Sequence, residues 1–433
     1  MSWQFFLDLQ MNIAQRLQSK GWGYWNLAAI IIVGTSVLTE YVYNHLHAET
    51  ARAGLFQRIL AAGPRPVIPR FTKVILVEDD DYWLGTLAGR RPIKRDYLAR
   101  LVEKLVDLNA HVIALDFDVR LQNPRSMDIP PDYRVETQEL IETIKKAAEK
   151  GKKLVLATPV SGRNGIYQRD PDIYQASGLC TRSGKEVSTG EAGTTALHSN
   201  VSCGYIALPF DPLEIPGPLQ LADGSSIDSF SLAIAKARNS SLASVTAETI
   251  AREARYSSFI PHDRFTDSGS EFSARALMDG AIRRDQIDSQ VVIVGAHWSR
   301  DAAGRGPRVD LHWTPVGMVV GAELHANFAE AFLDSRVFSA APEWVPHFVE
   351  ILLSVMAAIA FAAIPNISGK VVGLAAAVLL LFATTWVGLQ QFGLFFDAFI
   401  PIIGLGLHSL GESVERLIRL KETEPAMADA RHI

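Results

Sequence analysis

Two sets of carboxylates in this sequence follow short apolar runs. Glu78, Asp79, Asp80 and Asp81 come after Lys73 to Val77, and Asp116 and Asp118 come after His111 to Leu115. If both runs are neighbouring parallel strands, their C-terminal ends deliver the carboxylates to one crevice, the place where an open α/β sheet binds its ligands. Oxygen donors of this kind suit a hard cation, calcium or magnesium; no other cofactor is expected. The same side chains also serve to cap the following segment or to close a turn. A third group, His297 to Arg308, follows the run Val291 to Gly295 and sets Arg300, Arg305 and Arg308 among glycines. Guanidinium pairs with carboxylate or phosphate, so this loop can fold over an anion; the alternative is a solvated charged loop. It lacks the Gly-Lys-Ser/Thr ending of a Walker loop.

The only two cysteines, Cys180 and Cys203, are expected to join as a disulfide in an oxidising compartment. A zinc site shared with His198 is the alternative. His325 falls among Leu324, Phe328 and Phe332 on a helical pattern, which favours a packed histidine satisfied by a backbone carbonyl over a ligand.

The elements that must position these residues show in the periodicity. Lys73 to Glu78, His111 to Leu115, Lys153 to Ala157, Arg255 to Ile260 and Val291 to Gly295 read as strands. Leu98, Leu101, Val102 and Leu105 repeat at helical spacing, and Glu136 to Lys150, Phe230 to Arg238 and Gly321 to Leu333 read as helices. Alternation of strand and helix predicts an α/β domain, a mostly parallel sheet with crossover helices, over residues 47–345. Ser161 to Ala196, rich in Gly, Ser and Thr, reads as a long excursion or a small hairpin insert.

The ends of the chain are more apolar than its middle. The whole has 433 residues, 48% hydrophobic and 21% charged, with mean hydropathy +0.11. That average is too apolar for a soluble protein and too polar for a bundle of spanning helices, so two environments are implied. Four transmembrane helices are predicted, one before the α/β domain at 23–43 and three after it at 347–364, 371–389 and 394–411. Residues 1–22 form an amphipathic segment and 412–433 a short tail. Arg16, Lys20, Lys370, Arg416, Arg419 and Lys421 fall on one side of these spans, which places both termini in the cytoplasm and the large domain outside the membrane. Asp397 and His408 are the polar residues of the last span. A net charge of −5 gives no electrostatic case for nucleic acid as a partner.

Several runs together carry a resemblance. Asp79 to Gly85, Arg95 to Leu101 and Val112 to Asp116 resemble the start of the CHASE-type-two domain, an extracellular sensory domain associated with bacterial cyclases and histidine kinases. Val291 to Gly295, Asp310, Thr314-Pro315 and Gly321 to Asn327 resemble its far end, and Cys203 to Leu208 and Ser229 to Ala233 fall between. One departure is Arg90 to Arg95, which stands where the family commonly has a tryptophan-proline-tryptophan motif. The resemblance implies signal reception outside the cell and output inside it. With about twenty residues after Gly411, no attached kinase or cyclase is expected, so a separate signalling or membrane-complex protein, or a second copy of the chain as a homodimer, is the expected partner beside the bilayer. A structural subunit of a membrane complex is the second reading. Asp116-Phe117-Asp118 also resembles the strand-end Asp-x-Asp of haloacid-dehalogenase-type phosphoryl-transfer enzymes, but the Thr-containing turn that follows it there is missing. A surface metal-dependent hydrolase working from the Asp116 and Asp118 crevice is the remote third reading, and no enzymatic activity is expected. The candidate ligand or metal residues are therefore Asp79, Asp80, Asp116, Asp118, Arg300, Arg305 and Asp310.

Overall fold

A computed structural model describes residues 48–62, 68–120, 131–163, 166–180, 200–208, 214–244, 256–304, 306–342, 344–363, 367–404 and 406–407, with scattered positions between 26 and 41. The chain divides into two units, one of Ala61–Ser339 and one of Met1–Leu60 with Ala340–Ile433. The helices used below are α1 (Ala48–Ala61), α2 (Arg95–Asp107), α3 (Tyr133–Glu149), α4 (Phe230–Arg238), α5 (Gly321–Leu333), α6 (Trp344–Ala363) and α7 (Ile367–Phe392). The strands are β1 (Thr72–Val77), β2 (Val112–Leu115), β3 (Lys153–Thr158), β4 (Val201–Tyr205), β5 (Glu271–Ser273) and β6 (Val291–Ala296), with the hairpin β7 (Leu311–Thr314) and β8 (Gly317–Val320).

Strands β1 to β6 form one sheet in the order β5-β1-β6-β2-β3-β4, and every pairing in it is parallel. Its central strands are continuous apolar runs because helices cover both faces. Alternation sorts their side chains. Ile75, Val77, Ile113, Leu115, Leu154, Leu156, Val292 and Val294 pack on one side with Leu98, Leu101, Val102 and Leu105 of α2 and Leu140, Ile144 and Ala148 of α3. Val74, Leu76, Val112, Ala114, Val155, Val291 and Ile293 pack on the other with Phe230 and Ile234 of α4 and Ala322, Ala326 and Ala329 of α5. The four apolar residues of α2 are fully buried, each contributing about 1.5–3 kcal/mol of transfer free energy. The small residues of α5 let that helix lie close to the sheet. An added Cβ at Gly295 of β6 would stand 2.4 Å from the Ala322 Cβ.

This wiring opens the site. The chain leaves β1 and β2 toward α2 and α3 on one face, whereas β6, which lies between those strands, leads through β7 and β8 to α5 on the opposite face. Connections that part to opposite faces from neighbouring strands leave a crevice at the strands' C-terminal ends.

Several expectations are corrected. The run Arg255 to Ile260 contributes only Tyr256–Ser257, which pairs antiparallel with Val337–Ala340 and lies outside the central sheet. β5 was not foreseen, since three residues are too few to carry a periodicity. The expected insert is in part a hairpin, Val160–Arg163 with Ile166–Arg169, and residues 181–199 lie outside the described ones.

In the second unit, Leu353 of α6, Leu381 of α7, Phe396 and Ala398 form a small core, and Phe56 of α1 meets the Phe395 ring edge-on at 5.0 Å. Of the four expected spans, one segment among the described residues is long and apolar enough to cross a membrane: Val372–Phe392, 21 residues at mean hydropathy 2.1. Trp344–Met356 is a shorter apolar helix. α7 runs through Gln390, Gln391 and Phe392, past the expected end of the span at 389, and the turn begins at Gly393 with φ of +65°. Most of 23–43, residues 408–411 with His408, the segment 1–22 and the tail 412–433 lie outside the described residues.

Candidate functional site

The crevice holds a cavity of about 540 Å³ whose lining includes Tyr82, Arg91, Asp116, Asp118, Trp298, Arg300 and Asp310. Four of the seven candidate residues, Asp116, Asp118, Arg300 and Asp310, therefore share one cavity. Asp79 and Asp80 are not among its lining residues, and Arg305 lies outside the described residues.

Asp79 holds the loop that forms the cavity wall. Its carboxylate accepts from the Ser299 backbone N–H at 2.6 Å and from the Ser299 hydroxyl at 3.2 Å, and the Arg308 guanidinium lies 3.9 Å away. Trp83 Nε1 donates to the Ser299 carbonyl at 2.9 Å. These contacts fix the turn after β6 so that Trp298 stacks on Tyr82, centroids 4.0 Å apart and planes 7° from parallel. Arg91 lies over the same group, its Nε 3.4 Å from the Tyr82 hydroxyl and its Nη2 donating to the Arg300 carbonyl at 3.4 Å. Asp80 is exposed, and Asp81 is turned inward, accepting from Tyr97 Oη at 2.9 Å and from the Arg275 N–H at 3.1 Å.

The acidic wall consists of three residues in unlike states. Asp118 is paired with Arg120 at 3.0 Å. Asp310 has φ of +58° and accepts from His312 Nε2 at 2.8 Å. Its carboxylate occupies the space where Gly321, first residue of α5, would carry a side chain, and the Gly321 N–H donates to the Asp310 carbonyl at 2.8 Å. Any Cβ at position 321 would collide with that carboxylate. Asp116, after β2, is buried, and its Oδ2 has no hydrogen-bond partner. Burial, and then the charge of Asp310, hold its carboxyl well above the usual aspartate range.

Behind Asp116, His325 Nε2 lies 3.9 Å from Asp116 Oδ1, and His325 Nδ1 lies 3.0 Å from the Ser231 hydroxyl. His325 is therefore satisfied by a side chain, not by the expected carbonyl. Burial lowers its pKa to about 4, so the ring is neutral near pH 7. The serine, histidine and aspartate resemble a hydrolytic triad only in composition. Ser231 is 0% exposed, so its hydroxyl has no access to a substrate. The three residues form an internal polar link from the cavity floor through α5 to α4.

A second cluster lies elsewhere in the same unit. His262 Nδ1 is 2.7 Å from Glu323 Oε1 and 3.4 Å from Glu271 Oε2. The hydrogen bond to Glu323 raises the His262 pKa to about 9, and burial, then Glu323, raises Glu271 to about 7. No sequence signal marked this group, since 61 positions separate His262 from Glu323. Nor did any mark Glu350 of α6, buried with both oxygens lacking a hydrogen-bond partner and packed against Gly404.

Cys180 and Cys203 form a disulfide, Cα atoms 5.7 Å apart, which replaces the alternative of a zinc site with His198; that histidine lies outside the described residues.

The model of one protein family, the CHASE2 domain, matches residues 27–364. No curated protein matches the chain, and no solved structure does.

Proposed function

The chain belongs to the CHASE2 family of extracellular sensory domains, and from that premise we propose that it is a membrane-anchored receptor whose ligand occupies the cavity at the ends of β1, β6 and β2. The observation that carries this reading is the lining of that cavity. Arg91 and Arg300 line it together with Asp116 and Asp310 and with the stacked Tyr82 and Trp298. Guanidinium groups select carboxylate or phosphate, carboxylates select ammonium, and the aromatic pair offers a flat apolar surface. Such a site takes a small molecule carrying both charges, an amino acid or a short peptide terminus.

The domain faces the outside of a bacterial inner membrane, with the disulfide formed in that oxidising space. Four spans hold it there, Val372–Phe392 among them, and both termini are cytoplasmic. In this reading the chain performs no catalysis of its own. It passes its state to a separate protein. The link Asp116–His325–Ser231 supports a route within the domain, because a ligand ammonium at Asp116 would change the charge that α5 and α4 meet.

Thermal unfolding of the full-length protein in detergent tests the reading. A panel of amino acids should stabilise it where singly charged analogues do not, by about 2.7 kcal/mol at a hundredfold excess over Kd. Arg300→Ala and Trp298→Ala should each abolish the shift. Stabilisation that survives both substitutions would place the ligand elsewhere and refute the proposal.

A further inference from the structure

We propose that His262, Glu271 and Glu323 form a binding site for a first-row divalent cation, with zinc the best match. The three ligand atoms lie within 4.8 Å of one another, His262 Nδ1 at 2.7 Å from Glu323 Oε1 and 3.4 Å from Glu271 Oε2. Ligands about 2.0–2.1 Å from a tetrahedral zinc stand about 3.4 Å apart, so the cluster needs only side-chain adjustment to close on an ion. One imidazole with two carboxylates is a mixed nitrogen and oxygen set that suits zinc or manganese. Calcium would need six to eight oxygens, more than this group supplies.

A second observation points to a ligand. The Glu323 side chain is 0% exposed, yet its Oε2 has no hydrogen-bond partner. A buried carboxylate oxygen left unmatched is costly, and a cation at this position removes the cost. The surroundings hold the ligands in place. Asn327, one turn further along α5, accepts from the Ile260 N–H and donates from Nδ2 to the Ile260 carbonyl at 3.3 Å and to the Glu323 carbonyl at 3.1 Å. That ties the segment entering His262 to the helix that carries Glu323. The Thr266 hydroxyl donates to Glu271 Oε2 at 3.2 Å, a support of the kind that orients metal ligands. The His262 side chain is 48% exposed, which leaves a path for the ion and room for water as a fourth ligand. Bound metal would join edge strand β5, the segment before it and the start of α5. This site shares no lining residue with the cavity assigned to the organic ligand, so either assignment can fail without the other.

The test uses untagged full-length protein in detergent, stripped with chelator and titrated with zinc chloride by calorimetry. One zinc per chain should bind, with calcium binding at least about a hundredfold more weakly. His262→Gln and Glu271→Gln, both at positions with access to solvent, should each weaken zinc by at least about tenfold. Asp116→Asn, in the other cavity, should leave it unchanged. Absence of saturable zinc binding overturns the proposal, as does zinc affinity unaltered by both substitutions or matched by calcium. Circular dichroism of the two variants shows that any loss is not unfolding.

Discussion

Replacing Cys180 and Cys203 together with alanine removes the one covalent link in the α/β domain. Cys180 lies just beyond the short helix Ile173–Ala176, buried in the core beneath α2 and α3, and Cys203 is the middle residue of β4. The bridge closes a loop with a sequence separation of 23. Loop-closure entropy for a chain of that length corresponds to about 3 kcal/mol of destabilisation of the unfolded state. Both thiols leave little volume behind, so the packing loss from alanine is smaller than the entropic one. For a domain running from Ala61 to Ser339, at about 2.1 cal/mol/K of unfolding entropy per residue, about 3 kcal/mol is a fall in Tm of roughly 5 °C. The assay is intrinsic tryptophan fluorescence of the full-length protein on heating, with wild type, the double variant and wild type under reductant side by side. Wild type under reductant should approach the double variant. Alkylation of unreduced protein followed by mass measurement should find both cysteines protected. A fall below about 2 °C, or two alkylated cysteines in protein taken directly from the envelope, refutes the reasoning. The second result would also remove the oxidising-compartment argument for the domain's location.

Substitutions at three further positions probe the same domain. The Asp116 carboxyl is held above its ordinary pKa of 3.8 in the folded state, so the folded protein keeps a proton that the unfolded chain releases, and stability falls as pH rises through and above 3.8. Asp116→Asn should therefore unfold at a higher temperature than wild type at pH 7, the advantage vanishing near pH 4; equal melting temperatures at pH 7 would contradict the burial of this group beside Asp310. Glu330 Oε1 accepts from the N–H groups of Arg70, Phe71 and Thr72 at 2.9, 2.6 and 2.7 Å and from the Thr72 hydroxyl at 3.0 Å, fastening the entry to β1 onto α5. Glu330→Ala strands these donors and should cost about 3–5 kcal/mol in denaturant unfolding, with Glu330→Gln intermediate; a cost under about 1 kcal/mol would show that water replaces the carboxylate. At Gly204 of β4 an added Cβ would stand 2.5 Å from the Phe230 Cα and 2.8 Å from its nitrogen, so Gly204→Ala must push α4 from the sheet and should cost about 1–3 kcal/mol, read as a shift in denaturant midpoint.

Much of the fold is visible in the sequence because local pattern and burial agree. β1, β2, β3 and β6 are runs of Val, Ile and Leu covered on both faces, and α4 and α5 begin and end where periodicity and flanking residues place them. The carboxylates after β1 and β2 share one cation crevice only if those strands are neighbours. They are not. β6 enters between them, and the acidic groups separate: Asp79 turns to the Ser299 loop while Asp116 faces Asp310. Strand order depends on nonlocal pairing, so no window of sequence carries it.

The sequence by itself determined the α/β class, the pairing of two lone cysteines, the family and the apolar C-terminal helices. Each depends on residue type and spacing over at most a few tens of positions, where backbone periodicity and hydrophobic burial act directly. Only the tertiary structure decided which charges meet. It placed β6 between β1 and β2, set Trp298 on Tyr82, brought Asp310 beside Asp116 from 194 positions away, and joined His262 to Glu271 and Glu323. Those encounters follow from the direction each strand's connection takes around the sheet. That direction is set by the packing of whole helices onto its two faces, and no single residue records it.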